Sequence, residues 1–535
     1  MKNIFIFVLC IPNVLSCSLA SQSGNTVNII PSPLELKMGV GTFNITSSTR
    51  TKYCAEARDA VVYLNLKLKT AAGFQLAAQS AERRPDIEFV QAAPKDSLGN
   101  EGYILKVTSK RITIRAQSRA GFFYAVQTIL QFLPPEIVGS KISEGISWTV
   151  PVLIIRDIPK YFFRSFMMDS GRQFQTVEYI KRYLDFLAQL KINIFHWHLT
   201  EGQGWRIEIK KYPKLTELGS SVAQGEEQQG FYTQEEIKEV VEYARLRCIT
   251  VVPEIDLPGH SEAALIAYPE LTCFKKAPPT VMEYSSHLFC GGNESTYTFI
   301  ENILSEVCDL FPGEYIHLGG DEAPKNDWDS CSVCLAKIKQ EGLANSHELQ
   351  IYFSTRLATY LQQREKKCIL WGDVIENGGP RMPDNVIIYW WNYRKKLDAT
   401  YKAAMAMGYP IICGTNYYTY LNFPITPWSR YKEDRTFDLR QAYEGNPSDI
   451  LQPPKFVIGV GACLWTDWNV KMRMIDQRVF PRLLVLSEQM WSSKEKIPFP
   501  EYYEKVKLFY PRLDALGIHY GPAVKEEVPL RYNWE

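Results

Sequence analysis

The sequence predicts an α/β protein in which a small α+β domain precedes a (β/α)8 TIM barrel. Its 535 residues suit a barrel of about 250 residues or more together with a companion domain. After Arg164, strand-like runs alternate with amphipathic helical segments, which is typical of parallel βαβ units, and eight such runs can be counted. We therefore place the N-terminal domain at residues 27–155 and the barrel, with a C-terminal helix, at residues 156–535.

Residues 1–20 have the pattern of a signal peptide. One lysine is followed by an apolar run, 4–15, that is shorter than a membrane span. Cys17 ends a lipobox-like VLSC and Ala20 ends an ordinary cleavage sequence, so a lipid anchor and simple cleavage both stay open. We expect an exported protein, periplasmic or a cell-surface lipoprotein if its source is bacterial and otherwise secreted or lysosomal. No other stretch is long and apolar enough to be a membrane-spanning segment.

The N-terminal domain is predicted because the spacing of apolar residues changes between helical and strand periodicity along residues 27–155. Apolar residues recur at helical spacing in 55–70 and 120–133, and they alternate as in strands in 86–90, 102–107 and 111–116. Residues 150–161 are apolar and lead into the barrel.

The barrel is predicted from its eight apolar runs and the helical segments between them. The runs lie at 162–169, 192–199, 249–256, 315–322, 368–373, 386–391, 410–418 and 457–468. Helical segments with apolar residues three and four apart include 176–191, 233–248 and 347–367. Catalytic groups of such barrels lie at the carboxyl ends of the strands.

Every predicted strand ends in polar, ionisable or aromatic side chains. In chain order these are Arg164 with Asp169, His198 with Glu201, Glu254 with Asp256 and His260, Asp321 with Glu322, Trp371 with Asp373, Trp390 with Trp391, Tyr420 with Asn422, and Trp465 with Asp467. A single tryptophan or histidine is more often structural. Eight strand ends with the same character predict one shared pocket.

Composition and missing motifs exclude several functions. The 60 basic and 59 acidic residues form no long charge run, so neither a nucleic-acid nor a membrane-surface partner is expected. The chain has no GxSxG elbow, no P-loop and no glycine-rich dinucleotide turn in a strand-to-helix setting. We expect no organic cofactor.

The cysteines are interpreted as disulfides or unreactive thiols. Of the 12 cysteines, ten follow Cys17, and an exported protein can keep disulfides. Cys273 and Cys290 bracket a loop, and Cys331 with Cys334 forms one CxxC. Because no second CxxC or histidine pair stands at metal-finger spacing, no metal site is predicted.

Carboxylates in a tryptophan-rich pocket indicate glycoside hydrolysis. The usual schemes need two carboxyl groups facing each other across the bond, whereas adjacent strand residues such as Asp321 and Glu322 point to opposite sides. The pair suits a reaction in which a 2-acetamido group of the sugar is the nucleophile. One carboxylic acid then protonates the leaving oxygen, and the other carboxylate orients the amide N–H.

Four motifs, HLGGDEAPKNDW, VVPEIDLPGH, HWHLTEGQGW and GACLWTDW, resemble glycoside hydrolase family 20, the β-N-acetylhexosaminidases. The resemblance covers most of the chain and implies an exo-acting, retaining enzyme that acts on glycans with a terminal N-acetylhexosamine through an oxazolinium intermediate. It implies that Asp321 holds the acetamido group and that Glu322 is the general acid and base. The other implied catalytic residues are Tyr420, His260 and Glu201, and the implied substrate-binding residues are Arg164, Trp371, Trp390, Trp465, Asp467, Asn422 and His198.

Three positions depart from the usual family pattern. Glu201 stands where an aspartate is common, Asn422 follows Tyr420-Leu421 where many members have aspartate, and Asp467 follows Trp465-Thr466 where many have glutamate. The lysosomal α-subunit of the family, which accepts 6-sulfated GlcNAc, also has asparagine at the second position. Asn422 lowers repulsion toward an anionic O6 group, so we hypothesise that 6-sulfated GlcNAc is tolerated, with Arg430, Lys432 and Arg435 nearby in the chain.

Two other functions remain open. One is release of a disaccharide, as by lacto-N-biosidases, which predicts a longer pocket. The other is a carbohydrate-binding protein that has lost turnover, although the acid, the orienting carboxylate and the arginine are all present. A homodimer is neither predicted nor excluded.

Overall fold

The computed structural model describes residues 29–78, 84–222, 225–279, 281–282, 284–392, 399–427, 435–445, 456–468 and 470–529. The predicted signal peptide, including Cys17, lies outside the described residues. None of the described helices has the length and apolar character needed to cross a membrane.

The N-terminal domain is a seven-stranded mixed sheet with two helices. In chain order its elements are β1 (Glu35–Asn44), β2 (Arg50–Tyr53), α1 (Arg58–Ala72), β3 (Ala77–Ala78), β4 (Ile87–Gln91), β5 (Tyr103–Thr108), β6 (Arg111–Ala116), α2 (Arg119–Phe132) and β7 (Thr149–Asp157). The strands lie side by side in the order β1-β7-β5-β6-β4-β2-β3. The segment expected to lead into the barrel is therefore β7, which pairs with β1 and β5.

Helix α2 joins this sheet to the rest of the protein. It begins after Ser118, whose hydroxyl accepts a hydrogen bond from the Ala120 amide, and all but three of its 14 residues are buried. A helix that is apolar around most of its circumference is typical of a buried position. It packs against β5 and β6 on one side and against helix α3 (Val177–Gln189) on the other.

Eight parallel strands close into the predicted barrel. They are β8 (Phe163–Asp169), β9 (Ile194–His198), β12 (Thr250–Glu254), β13 (Tyr315–His317), β14 (Lys367–Trp371), β15 (Val386–Trp390), β16 (Ile411–Cys413) and β17 (Val457–Leu464). Each strand pairs with the next in chain order, and β17 pairs with β8 to close the ring. A short hairpin, β10 (Thr200–Glu201) with β11 (Gly204–Trp205), follows β9.

Helices surround the barrel and form its C-terminal part. After α3 they are α4 (Lys214–Glu217), α5 (Gln234–Arg245), α6 (Glu262–Ala267), α7 (Glu294–Leu310), α8 (Asn326–Ser330), α9 (Ser332–Glu341), α10 (Ser346–Gln362), α11 (Ala399–Met407), α12 (Asn416–Thr419), α13 (Leu439–Glu444), α14 (Met472–Val479), α15 (Arg482–Trp491), α16 (Phe499–Lys507) and α17 (Tyr510–Ala515). Local sequence fixes where several begin. Thr233 and Glu236 form a capping box at the start of α5.

Arg164 lies at the amino end of β8, on the barrel face away from the strand ends where a pocket is expected. Its guanidinium donates to both carboxylate oxygens of Glu101, at 2.8 Å each, and to the Lys191 carbonyl. The side chain has no exposed surface. The expectation that Arg164 binds substrate is therefore wrong, because this arginine ties the barrel to the N-terminal domain.

We predict that Glu101→Gln lowers the free energy of unfolding by about 3 kcal/mol, because it leaves a buried guanidinium without its counter-charge. Equilibrium denaturant unfolding measures the change. Glu242→Gln is the matched control, since Glu242 pairs with Arg245 on the exposed surface and its loss is expected to have little effect. Equal effects of the two substitutions would contradict this assignment.

Candidate active site

A cavity of about 240 Å³ opens at the carboxyl ends of the barrel strands. Its walls combine charged, aromatic and amide side chains from at least five of the strand-following loops. The described lining residues are Arg172, His260, Tyr284, Asp321, Glu322, Trp391, Asn416, Tyr420, Asn422, Phe423, Arg435, Trp465, Asp467 and Trp468.

Asp321 and Glu322 both line this cavity because they lie in a loop and not in a strand. Strand β13 ends at His317, whereas the sequence predicted a strand through residue 322. Beyond it the backbone turns through left-handed conformations at Gly319 (φ 64°), Gly320 (φ 106°) and Glu322 (φ 47°). The alternation that separates neighbouring strand residues is thereby lost, and the adjacent carboxyl groups share one cavity.

The two glycines before the pair are required by close packing. A Cβ atom on Gly319 would stand 1.7 Å from Oδ1 of Asp256, and one on Gly320 would stand 2.5 Å from Val374. The same Asp256 oxygen accepts a hydrogen bond from the Gly320 amide at 3.0 Å. Asp256 therefore fixes the course of the loop.

His260 lies between the carboxylates. Its Nδ1 is 2.7 Å from Oε1 of Glu201, and its Nε2 is 3.7 Å from Oδ2 of Asp321 and 3.8 Å from Oε2 of Glu322. Burial alone would lower the pKa of His260, but the charges of Glu201 and Asp321 outweigh burial and raise the pKa to about 10. The imidazole is therefore a cation at neutral pH.

Glu201 holds both cations of the inner cavity. Besides His260, its carboxylate accepts from the Arg172 guanidinium at 2.8 Å and from the Gly202 amide at 2.8 Å. Burial would raise the pKa of Glu201, yet Arg172 and His260 hold it well below its usual value. The longer side chain thus takes the place expected for an aspartate.

Arg172 is the cavity arginine that sequence reasoning missed. Its guanidinium pairs with Asp169 at 3.0 Å and lies 5.3 Å from the ring of Trp465. It stands eight residues after Arg164, just beyond the end of β8. The rule that barrel sites follow the carboxyl ends of strands would have selected it.

Glu322 has the properties of a proton donor. Burial and then the Asp321 charge raise its pKa above the usual value, while its side chain is 47% exposed. The neighbouring Asp373 has its pKa raised to about 7 by burial and by Asp321. Asp373 accepts hydrogen bonds from the Trp391 indole at 2.6 Å and the Glu322 amide at 3.4 Å.

Three aromatic side chains form a wall of the cavity: Trp391, Tyr420 and Trp465. The rings of Trp391 and Tyr420 are stacked, with centroids 6.1 Å apart and an interplanar angle of 14°. Burial raises the pKa of Tyr420 well above its usual value, so its hydroxyl stays a hydrogen-bond donor.

Two predicted wall residues lie elsewhere. Trp390 is fully buried and packs against Tyr401 of α11 on the outside of the barrel, so the choice of Trp390 over Trp391 is wrong. Trp371 is also fully buried, 5.8 Å below the ring of Trp465, and donates to Glu254 instead of lining the cavity.

His198, predicted to bind substrate, lies beneath the cavity as well. It is fully buried, with Nδ1 2.7 Å from Glu254 and Nε2 3.4 Å from Glu201. Glu254 also contacts His196 at 2.8 Å in the barrel centre. His198 therefore supports Glu201 from below and does not reach a ligand in the cavity.

Asn422 and Asp467 lie together on another side of the cavity. The amide Nδ2 of Asn422 donates to Oδ1 of Asp467 at 2.9 Å. Arg435 lines the same cavity, whereas Arg430 and Lys432 lie outside the described residues. The pair thus consists of a neutral amide and an anion, in a cavity that Arg435 also lines.

Several groups of side chains bring three or more potential metal ligands within 4.8 Å of one another. Three of them combine histidines with Glu254, Asp256 or Asp321, and Glu254 and His260 among them make the contacts described above. The fourth consists of four cysteines outside the cavity. The arrangement around Asp321 and Glu322 needs no metal to donate a proton and stabilise a cation.

Comparisons with known proteins show the family of the chain. The family model described as Glycosyl hydrolase family 20, catalytic domain, matches residues 161–494, and that of the family's domain 2 matches residues 26–158. A β-hexosaminidase of Porphyromonas gingivalis is 34% identical over 97% of this chain and 68% of its own length.

Solved structures are similar over nearly the whole chain. A β-N-acetylhexosaminidase from Bacteroides fragilis is 45% identical, with a TM-score of 0.87 over 95% of this chain and 99% of that one. A mutant β-hexosaminidase of Streptomyces plicatus, in complex with its product GlcNAc, is 31% identical, with a TM-score of 0.82 over 93% of this chain and 97% of that one.

We predict that Gly319→Ala destabilises the protein by about 3 kcal/mol or more, because the methyl group combines a left-handed backbone with a clash against Asp256. Gly342→Ala is the matched control, since Gly342 has φ 66° and open space around its Cβ position. That control should cost only the backbone term of about 1 kcal/mol. Thermal and denaturant unfolding compare the two, and equal losses would show that Asp256 does not constrain the loop.

Proposed function

The chain belongs to glycosyl hydrolase family 20 and is a glycoside hydrolase of the β-N-acetylhexosaminidase type, and from this we propose that it removes single terminal GlcNAc or GalNAc residues from glycans with retention. The observation that carries the proposal is the hydrogen bonding of Asp321 and the raised pKa of Glu322. Oδ1 of Asp321 is buried beside the cavity and accepts no hydrogen bond within the described part of the chain. Glu322, next to it, has a raised pKa.

The free oxygen of Asp321 is suited to an amide N–H of the substrate. A 2-acetamido group placed there has its carbonyl oxygen free to attack the anomeric carbon. Tyr420, a permanent donor in the same wall, would hydrogen-bond that carbonyl oxygen. The C1–O bond to the leaving group breaks as Glu322 gives its proton to the leaving oxygen.

The intermediate is then a cyclic oxazolinium cation. Its positive charge lies next to Asp321, which stabilises it electrostatically. Glu322, now a carboxylate, takes a proton from a water molecule that attacks C1 from the face that the leaving group vacated. Two inversions at C1 give a product with the original β configuration.

The rest of the cavity suits one sugar ring. Trp391 and Trp465 offer flat apolar faces, and Arg172 offers guanidinium N–H groups for ring hydroxyls. A volume of about 240 Å³, as bounded by the described residues, falls below the usual range of about 300–1,000 Å³ for ligand pockets. This supports release of a monosaccharide over release of a disaccharide.

We predict that the enzyme hydrolyses an aryl β-N-acetylglucosaminide and leaves the matching aryl β-glucoside intact, because the glucoside lacks the amide nucleophile. Glu322→Gln should lower kcat by about 10²–10⁴ for a poor leaving group, and much less for an activated one that needs no proton. Asp321→Asn should lower kcat for both leaving groups. Steady-state kinetics of the folded variants provides the measurement.

The pH profile gives an independent check of the same roles. An acid works only while it is protonated, so kcat/KM should fall as the pH rises through the raised pKa of Glu322. That alkaline limb should disappear in Glu322→Gln. Hydrolysis of the glucoside, or an unchanged limb in the variant, would overturn the assignment. Saturable sugar binding without turnover would favour the binding-protein alternative.

We further propose that the enzyme tolerates a 6-sulfate on GlcNAc. The support is the neutral Asn422 beside Asp467, with the Arg435 cation lining the same cavity. Replacing Asn422 by aspartate would not test this cleanly, since it would place two carboxylates within hydrogen-bonding distance of each other. Arg435 is therefore the better position to alter.

We predict that Arg435→Gln lowers the ratio of turnover of 6-sulfated to unsubstituted aryl GlcNAc by about tenfold, which is a loss of about 1.4 kcal/mol of selective interaction. Arg440→Gln is the control, since Arg440 is exposed and packs on Phe499 away from the cavity. The ratio of kcat/KM values measures the effect. A ratio that is unchanged in Arg435→Gln, or negligible turnover of the sulfated substrate by the unaltered enzyme, would refute sulfate tolerance.

A further inference from the structure

Four cysteines from distant parts of the chain meet outside the cavity. Cys273 and Cys290 lie in the loop after β12, and Cys331 and Cys334 lie after β13, at the start of α9. Their four sulfur atoms all lie within 4.8 Å of one another, with 3.6 Å between those of Cys290 and Cys334 and 3.8 Å between those of Cys273 and Cys334. We propose that these four thiolates bind one structural Zn²⁺ ion.

The spacing of the sulfur atoms is that of a tetrahedral zinc site. With Zn–S bonds of about 2.3 Å, tetrahedral geometry puts neighbouring sulfur atoms about 3.8 Å apart. Two disulfides would instead gather the sulfurs into two bonded pairs, each about 2.05 Å long. No pair among the ten described cysteines is joined in this way. Convergence of four sulfurs on one centre is what a shared ion requires.

The backbone around the cysteines also favours thiolates. Cys331 is the N-cap residue of the ten-residue helix α9, and Cys334 lies in its first turn. The unpaired N–H groups of a helix N-terminus carry partial positive charge, which favours a cluster of negatively charged ligands beside it.

Glycines let the two cysteine segments approach closely. A Cβ atom on Gly291 would stand 2.9 Å from the ring of Trp328, and one on Gly292 would stand 2.7 Å from Cα of Cys334. The chain that follows Cys290 is thus pressed against the CxxC segment. Close backbone approach of this kind brings ligands from separate segments to one ion.

The surroundings of the four cysteines indicate why a cross-link, here called a staple, would stabilise this region. Cys290, Cys331 and Cys334 are at most 3% exposed, and the apolar cluster around them, with Leu288, Trp328 and Leu349, is separate from the main core. The loop from residue 272 to residue 290 has no helix or strand among its described residues. Long loops without secondary structure need other contacts to stay ordered.

Zinc at this position would act on the active site by positioning. The stapled loop carries Tyr284, which lines the cavity, and Ser285, whose hydroxyl accepts a hydrogen bond from the His260 amide at 3.0 Å. The other stapled segment begins just after Asp321 and Glu322. The ion would fix these two loops relative to each other without touching the substrate. The proposal stands on the cysteines and does not depend on which sugar is cleaved.

The proposed zinc site differs from the expectation that the chain holds no metal. The CxxC of Cys331 and Cys334 looked isolated because its partner pair, Cys273 and Cys290, is not itself a CxxC. A loop brings that pair together in space, so no short-range spacing could reveal it.

The test is the metal content and mass of the full chain, purified without added metal. Elemental analysis should find one zinc per chain, and native mass spectrometry should show a species about 63 Da heavier than the reduced chain. Two disulfides would instead make the metal-free chain about 4 Da lighter and would overturn the proposal. A metal-free reduced chain would overturn it equally, and bound iron would overturn the assignment to zinc.

Variants and chelation test the ligands and the role. The double variant Cys331→Ser, Cys334→Ser should bind no zinc, whereas Cys308→Ser, on α7 outside the cluster, should keep one equivalent. If the double variant does not fold, the unaltered protein still gives the answer. A chelator with reductant should lower its Tm, added Zn²⁺ should restore it, and Co²⁺ should give the visible absorption of a tetrahedral thiolate site. An unchanged Tm after complete zinc removal would refute a stapling role.

Discussion

The Glu201 carboxylate is the contact on which the catalytic cavity depends. It binds the Arg172 guanidinium and the His260 imidazolium, and those two cations would otherwise repel each other in a buried site. Two glycines pack closely around the Glu201 segment. A Cβ atom on Gly171 would stand 2.6 Å from Cβ of Glu201, and one on Gly202 would stand 2.9 Å from Oε2 of Glu262. A side chain at either position would therefore displace Glu201 or Glu262.

Charge balance then assigns different work to neighbouring carboxyl groups. Glu201 is held ionised by two cations, whereas Glu322 and Asp373 are driven toward their neutral forms by burial and by the Asp321 charge. An anion that stabilises a cationic intermediate and an acid that keeps its proton are both needed in one reaction. The Asp321 charge helps to keep Glu322 protonated. The repulsion between the two carboxyl groups therefore serves the reaction.

The barrel could be predicted from sequence because hydrophobic period and turn signals repeat eight times, so an error in one segment does not change the count. The site was less predictable, because a shift of one residue in a strand moves a side chain to its other face. Trp390, expected in the pocket, is one residue away from Trp391, which lines the cavity. Arg164, expected to bind substrate, lies at the amino end of β8, whereas Arg172 follows its carboxyl end, where the cavity opens. The structure places Asp321 and Glu322 in one cavity, and their common orientation depends on left-handed backbone conformations that periodicity does not report. The cysteine cluster depends on contacts across 61 positions of the chain, from Cys273 to Cys334, and local pattern carries no trace of it.

Backbone strain occurs at the site of the chemistry. Of the eight described non-glycine residues with positive φ angles, three line the cavity: His260, Glu322 and Trp468. Such conformations persist only where the surrounding contacts over-determine them. For Glu322 those contacts include Asp256, which accepts a hydrogen bond from the preceding Gly320 amide, and Asp373, which accepts one from the Glu322 amide. For His260 they are Glu201 and Ser285. Ser285 lies in the loop that the proposed zinc ion would anchor, so the ion would be connected to His260 through that loop. In the proposed reaction the nucleophile belongs to the substrate. The two loops must therefore hold the proton donor and the orienting carboxylate at fixed positions relative to the bound acetamido group.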